Sequence, residues 1–280
     1  MTKGLRSPKI IILPTIGVTI AIVVFLVLIP QLNSVYDKYG IKKIYATKIG
    51  GRVWFINMRT PRDDGFFKPT VPIRLQPDGS WQTDAKYKIG KHEDIRMIVT
   101  TPPSYDEWKN VEVTGYMKVI SSQSKNSSVE WSARGAVYNG SNPCDDIGIG
   151  GGLYVNGTPF WQKTVYHDAH TNKISETGDT HPLIGRWIGW KVVIFNVRNN
   201  TAVRLISYID DKDNGTWAKI SDSIDNGKWY VHAPNNKIYA TKCNRTANYA
   251  VTNPGNDVSF SSEDMIWNFK NLSVREIQVS

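Results

Sequence analysis

Cysteine is nearly absent. Two in 280 residues, neither with a Cys-x-x-Cys neighbour, exclude a disulfide-dense scaffold and argue against a structural zinc site. Long runs of one charge are missing too. The net charge of +9 includes Lys3, Arg6 and Lys9 of the N-terminal tail, and the other bases are spread as on a solvated surface. With neither a basic patch nor an RNA-binding aromatic motif, no nucleic-acid partner is expected. Helical periodicity is lacking after residue 30, which removes helical bundles and parallel α/β folds. Aromatic side chains are plentiful instead: ten Trp and thirteen Tyr supply apolar area for a folded core and exclude disorder.

One hydrophobic run stands apart. Residues 10–29, "IIILPTIGVTIAIVVFLVLI", carry no charge and would span about 30 Å as a helix, enough to cross a bilayer. Lys3, Arg6 and Lys9 precede the run, so the positive-inside rule keeps residues 1–9 in the cytoplasm and sends everything after Pro30 outside. The next residues, "PQLNSVYDKYG", hold no small-x-small cleavage site, and the run is long for a signal peptide. The expectation is a transmembrane anchor over 10–29, a tether over 30–35 and one extracellular domain over 36–280. Cleavage of the segment as a signal peptide would secrete the same domain.

Two features agree with export. Asn-x-Ser/Thr sequons occur at Asn126, Asn139, Asn156, Asn199, Asn214, Asn244 and Asn271, as expected of a glycoprotein with exposed turns. Cys144 and Cys243 are an even count in an oxidising compartment, which suggests one disulfide. Closing so long a loop would stabilise by about 4 kcal/mol in the entropic model.

Past Pro30 the chain reads as short alternating runs. In "NVEVTGYMKVI", Val111, Val113, Met117 and Val119 share one face and Glu112, Thr114, Tyr116 and Lys118 the other, the period of a half-buried strand. "GWKVVIFNV" and "AVRLISYID" are two more strands, joined by a tight hairpin at "RNNT". Further strands are predicted over 52–57, 95–100, 129–138, 152–155, 160–167 and 272–277. Many strands without crossover helices make an all-β, two-sheet antiparallel sandwich.

The pairing of "RWIGWKVVIFNVRNNTAVRLISYIDD" with the closing "WNFKNLSVREI" resembles the concanavalin A-like lectin and glucanase superfamily, the jelly-roll sandwiches, and in particular uncharacterised secreted members with this ending. The likeness is best over residues 108–208 and 267–277. It implies a carbohydrate partner on a concave face. The Glu-x-Asp-x-x-Glu strand of the glucanase branch is missing; "KHEDI" and "SSEDM" read as acidic dipeptides only. Lyases of this fold remove a proton beside a uronate carboxylate. Lys163 and His167 of "FWQKTVYHDAH", with Arg134 of "WSARGAV", offer the residue types for that step, although the usual alginate-lyase motifs are lacking.

Other segments are weaker. His167, Asp168 and His170 are competent metal ligands in type, yet the polar end of a strand explains them as well. Asp210, Asp211 and Asp213 of "DDKDNG" make a calcium turn conceivable without matching an EF-hand, and no other cofactor is expected. "GIGGGLYVNG" lacks the helix and Lys of a phosphate cradle and reads as a flexible turn. Stacking against sugar faces would fall to Trp161, Trp217 and Trp229. Trp187 and Trp190 lie on opposite faces of their strand, so at most one joins a groove.

The sequence therefore describes a membrane-anchored cell-surface sandwich that binds glycan without covalent chemistry. A polysaccharide lyase and a structural or adhesive envelope protein are the alternatives. Fractionation is expected to recover the native chain with membranes, thiols oxidised and sugar attached; a cytosolic chain with both thiols free would contradict this.

Overall fold

The computed structural model describes residues 34–83, 94–101, 107–136, 142, 144–167, 169–174, 180–231 and 241–279. The expected anchor, the sequon at Asn139 and the metal candidate Asp168 lie outside the described residues. Among those described, no helix is long and apolar enough to cross a membrane. The chain divides into two units, residues 1–46 and 47–280. In the first, Asp37 organises a tight turn: its Oδ1 accepts from the Tyr39 and Ile41 amides at 2.8 and 3.0 Å, and a single bridge pairs Tyr36 with Lys42.

The second unit holds fifteen strands among the described residues: β1 (Val53–Phe55), β2 (Phe67–Pro69), β3 (Ile73–Leu75), β4 (Trp81–Thr83), β5 (Asp94–Thr100), β6 (Val111–Ser122), β7 (Ser128–Ala136), β8 (Ile147–Tyr154), β9 (Pro159–Tyr166), β10 (Ala169–Ile174), β11 (Ile188–Val197), β12 (Ala202–Asp210), β13 (Ala218–Asp225), β14 (Asp257–Glu263) and β15 (Met265–Glu276). They form two antiparallel sheets. One runs β13-β12-β11-β6-β15-β4-β3, with β1 also on β15; the other runs β10-β9-β8-β7-β14-β5-β2. The last two strands are inserted centrally, β14 between β7 and β5 and β15 between β6 and β4, so the end of the chain closes both layers at once.

Alternation builds the core. From β5, Ile95, Met97 and Val99 turn inward, and from β14, Val258 and Phe260. Trp131 of β7 meets Trp190 of β11 at 4.7 Å and Phe260 edge-on at 5.3 Å, joining the layers through aromatic rings. The "RNNT" hairpin forms as expected, with Arg198, Asn199 and Asn200 at positive φ between the paired residues Val197 and Ala202. Cys144 and Cys243 are bonded, 99 residues apart. Five sequon asparagines, Asn126, Asn156, Asn199, Asn214 and Asn244, are exposed on turns, whereas Asn271 is half-buried within β15.

Two expectations are corrected. The glycine run is a strand, not a turn: β8 crosses the middle of its sheet because neighbours need its missing side chains. A Cβ at Gly152 would sit 2.0 Å from the Phe160 ring, and one at Gly150 would sit 2.3 Å from the Trp131 carbonyl. Nor is β6 half-buried, since Glu112, Thr114 and Tyr116 are as enclosed as the apolar face. Lys191 on β11 and Arg275 on β15 flank Glu112 at 3.0 and 2.8 Å, and the Lys191 ammonium also binds Thr114 and lies under the Trp217 ring. Burial alone would raise the Glu112 carboxyl. The Lys191 and Arg275 charges outweigh it and hold the group at about 2.

Removing Glu112 takes the shared carboxylate from two buried cations, so Glu112→Ala is expected to cost about 3–5 kcal/mol in urea unfolding. Because the folded carboxyl titrates below its ordinary value of 4.5, its contribution is complete above that value and lost as pH falls towards about 2. The native chain should therefore lose more stability than Glu112→Gln across that interval; parallel losses would contradict the assignment.

Candidate functional site

Two of the three residues expected to form a lyase site, Arg134 and Lys163, are buried in structural roles. Arg134 is fully buried: its Nε donates to the Lys109 carbonyl at 2.7 Å, and its Nη1 to Asn196 Oδ1 and the Val251 carbonyl, each at 2.6 Å. Burial lowers its guanidinium to about 9. A bulge put it there. Strict alternation from Glu130 and Ser132 would aim Arg134 outward, but the register of β7 shifts against both neighbours at this point and Arg134 adopts φ 59°, turning it between the sheets.

Lys163 is buried as well. Its ammonium bonds Asp225 Oδ2 at 2.8 Å and the Trp229 and Tyr249 carbonyls at 2.6 and 3.1 Å, tying β9 to the end of β13. Burial lowers its pKa, with the Asp225 carboxylate opposing. His167 stands apart, half-exposed, its Nδ1 3.4 Å from Asp146 Oδ2. Both cations are thus engaged away from solvent, and the three side chains do not form one open site.

Of the stacking candidates Trp161 is withdrawn from solvent while Trp217 and Trp229 are half-buried, and the calcium candidates are each engaged elsewhere. Trp161 is 1% exposed and belongs to the core, where the missing side chain of Gly151 makes room for its ring. Trp217 packs edge-on against Tyr116 at 6.0 Å on the eight-stranded sheet, and Trp229 lies beside the Lys163 ammonium. Asp210 accepts from the Asn214 and Gly215 amides and the Tyr116 hydroxyl, Asp211 pairs with His181 and Arg186, and Asp213 with Lys270. The three carboxylates address three different partners. Among the described residues no three His, Cys, Asp or Glu side chains converge as metal ligands would.

An open groove of about 330 Å³ lies instead on the outer face of the seven-stranded sheet. Every second residue of its strands faces it: Asp94 and Arg96 of β5, Asp257, Ser259, Ser261 and Glu263 of β14, Glu130 and Ser132 of β7. Across the groove stand Gln162 and Thr164 of β9 and His170 and Asn172 of β10. Between these walls runs β8, whose Gly148 and Gly150 pair with Thr164 and Gln162 and so share their face. The glycine strand is a low floor, edged by the side chain of Ile147. It separates an acidic wall from an amide and hydroxyl wall.

The acidic wall unites the two acidic dipeptides of the sequence. Glu263 of "SSEDM" pairs directly with Asp94 of "KHEDI", and Glu130 sits one pair further along, opposite Ser261. Burial pushes the Glu130 carboxyl up, the Glu263 charge adds to it, and hydrogen bonds from Ser128 and Gln162 only partly offset both, leaving it at about 7. The signal in the sequence is alternation, with polar groups at each outward position of "DVSFSSE" and "SVEWS" and at Gln162 and Thr164 of "FWQKT", where Phe160 breaks the pattern.

No protein-family model matches the chain, and no curated protein does. Among solved structures it is similar to a carbohydrate binding module from Bacillus subtilis, at 8% identity and a TM-score of 0.42 over 75% of this chain and 95% of that one. It is similar to an endo-beta-1,4-glucuronan lyase from the fungus Trichoderma reesei, at 10% identity and 0.44 over 76% and 91%. A third is the binding domain of botulinum neurotoxin serotype D, at 10% identity and 0.43 over 81% of this chain but 48% of that one, about half its length. These are likenesses of sandwich architecture, and no activity carries across from them.

For a carboxyl raised in the folded state, stability is complete below its unfolded value near 4.5 and declines as pH rises through about 7. Glu130→Gln removes that loss. Its melting temperature is expected to exceed that of the native chain at pH 8 and to match it at pH 4; a variant equally shifted at both would contradict burial and the Glu263 charge as the cause.

Proposed function

We propose that the protein is a membrane-tethered, extracellular glycan-binding sandwich whose site is the groove on the seven-stranded sheet. The observation that supports this best is the pairing of a low glycine floor with walls of carboxylates, amides and hydroxyls. Sugar hydroxyls are donors and acceptors together, and such side chains satisfy both roles on a rigid sheet. Hydrogen bonding rather than aromatic stacking is the main source of affinity.

An enzymatic reading shifts from lyase to hydrolase. Uronate cleavage needs a cation or amide at the substrate carboxylate: Arg96 already donates to Asp94 at 2.6 Å, and although Gln162 and Asn172 offer amides on the opposite wall, the carboxylates of the groove would repel a polyanion. Glu130, protonated up to about pH 7 beside Glu263, is suited to give a proton to a glycosidic oxygen, with the second carboxylate stabilising the developing charge.

Gly148 allows a test without damage to the fold. A Cβ there meets no atom closer than 3.8 Å, so Gly148→Gln is expected to fill the groove, keep the melting temperature and weaken binding on a glycan array at least tenfold. Undiminished binding would place the site elsewhere. Release of reducing ends, abolished in Glu130→Gln, would assign the hydrolase; binding without release would leave the lectin-like role.

A further inference from the structure

The sign of the charges narrows the ligand and rests on the groove as the binding site. Five carboxylates, those of Asp94, Glu130, Asp146, Asp257 and Glu263, open on this cavity with a single guanidinium among the described residues, in a chain whose 34 bases outnumber its 25 acids. Charge is segregated here against the overall composition.

The arrangement also works against the sheet itself. Glu263 and Asp94 are directly opposed across β14 and β5, with Glu130 diagonal to Glu263 on β7, and like charges paired in register destabilise a sheet. The position of the Glu130 carboxyl at about 7, after burial, reflects the same repulsion. Arg96 pairs with Asp94 and its charge also reaches Asp146 and Glu130, one base against five carboxylates among the described lining residues. A ligand that brought positive charge would remove the repulsion, while a uronate polymer would increase it.

We infer that the groove selects a glycan bearing protonated amines, a polymer of unacetylated hexosamine, over neutral and anionic polymers. The ammonium groups lie against the acidic wall of β5, β14 and β7, where charge-assisted hydrogen bonds to carboxylates are the stronger kind and the incoming positive charge displaces the proton that Glu130 holds up to about pH 7. The ring hydroxyls face Gln162, Thr164 and Asn172 across the glycine floor. A lysine-rich peptide would satisfy the first wall but leave these neutral groups without ring hydroxyls to bind, which is why a glycan is favoured.

Calorimetry with the full chain in detergent micelles tests this at pH 6, using a glucosamine hexamer, its fully N-acetylated counterpart and a uronate hexamer. The amine form is expected to bind at least tenfold tighter than the acetylated one, with an advantage that shrinks as salt is raised, and the uronate is expected not to bind. The double variant Glu130→Gln, Glu263→Gln removes mutual repulsion and so should fold; it is expected to erase the amine preference. Equal affinity for the amine and acetylated forms, both blocked by Gly148→Gln, would overturn the charge selection and leave the groove standing. Silence with all three would overturn both. Tighter binding of an oligolysine than of the glucosamine hexamer would overturn the inference in favour of a protein partner.

Discussion

A charge taken out of water must find compensation inside the protein, and that constraint divides this sandwich into two functional halves. The buried cations are answered internally: Lys163 by Asp225 and two carbonyls, Lys191 and Arg275 by Glu112, Arg134 by carbonyls and an amide oxygen. These side chains join layers or strands that are far apart in sequence. What looks like catalytic equipment along the linear chain is consumed by architecture. The carboxylates of the seven-stranded sheet gather instead around one open groove, where Arg96 is the one Arg or Lys among the described lining residues.

Backbone detail produces that separation. The bulge at Arg134 and Gly135 withdraws a cation that alternation would have delivered to the groove, and Gly135 takes its place in the lining. The glycines of β8 serve two ends. Gly151 and Gly152 admit the rings of Trp161 and Phe160 from neighbouring β9, while Gly148 leaves open space on the groove side. A trough therefore forms between two walls of polar side chains, those of β5, β7, β9 and β14 built on strands whose opposite face is fixed in the core.

The sandwich class is legible in the sequence because its long strands alternate clearly; β6, β11 and β12 follow from hydrophobic period and turn chemistry. The three-residue strands β2, β3 and β4 do not, since so short a segment shows no period. The site is hidden for another reason. Asp94, Glu130 and Glu263 are scattered over most of the chain, and only strand order and register bring them together, neither of which is written in local pattern. Glycine in β8 suggests flexibility where it means close packing, and Lys163 suggests reactivity because an inward-facing lysine is rare without a partner. Its partner, Asp225, lies 62 residues away on the other sheet.

The central claim is positional: ligand engages the outer face of the seven-stranded sheet, between β5 and β10. Backbone amide shifts of isotopically labelled protein, followed while a bound oligosaccharide is titrated in, test it most directly. Perturbations concentrated on Glu130, Gly148, Gln162, Ser261 and Asn172 are the result expected. Perturbations confined to Trp217, Tyr116 and the surrounding eight-stranded sheet, with this groove unaffected, would contradict it.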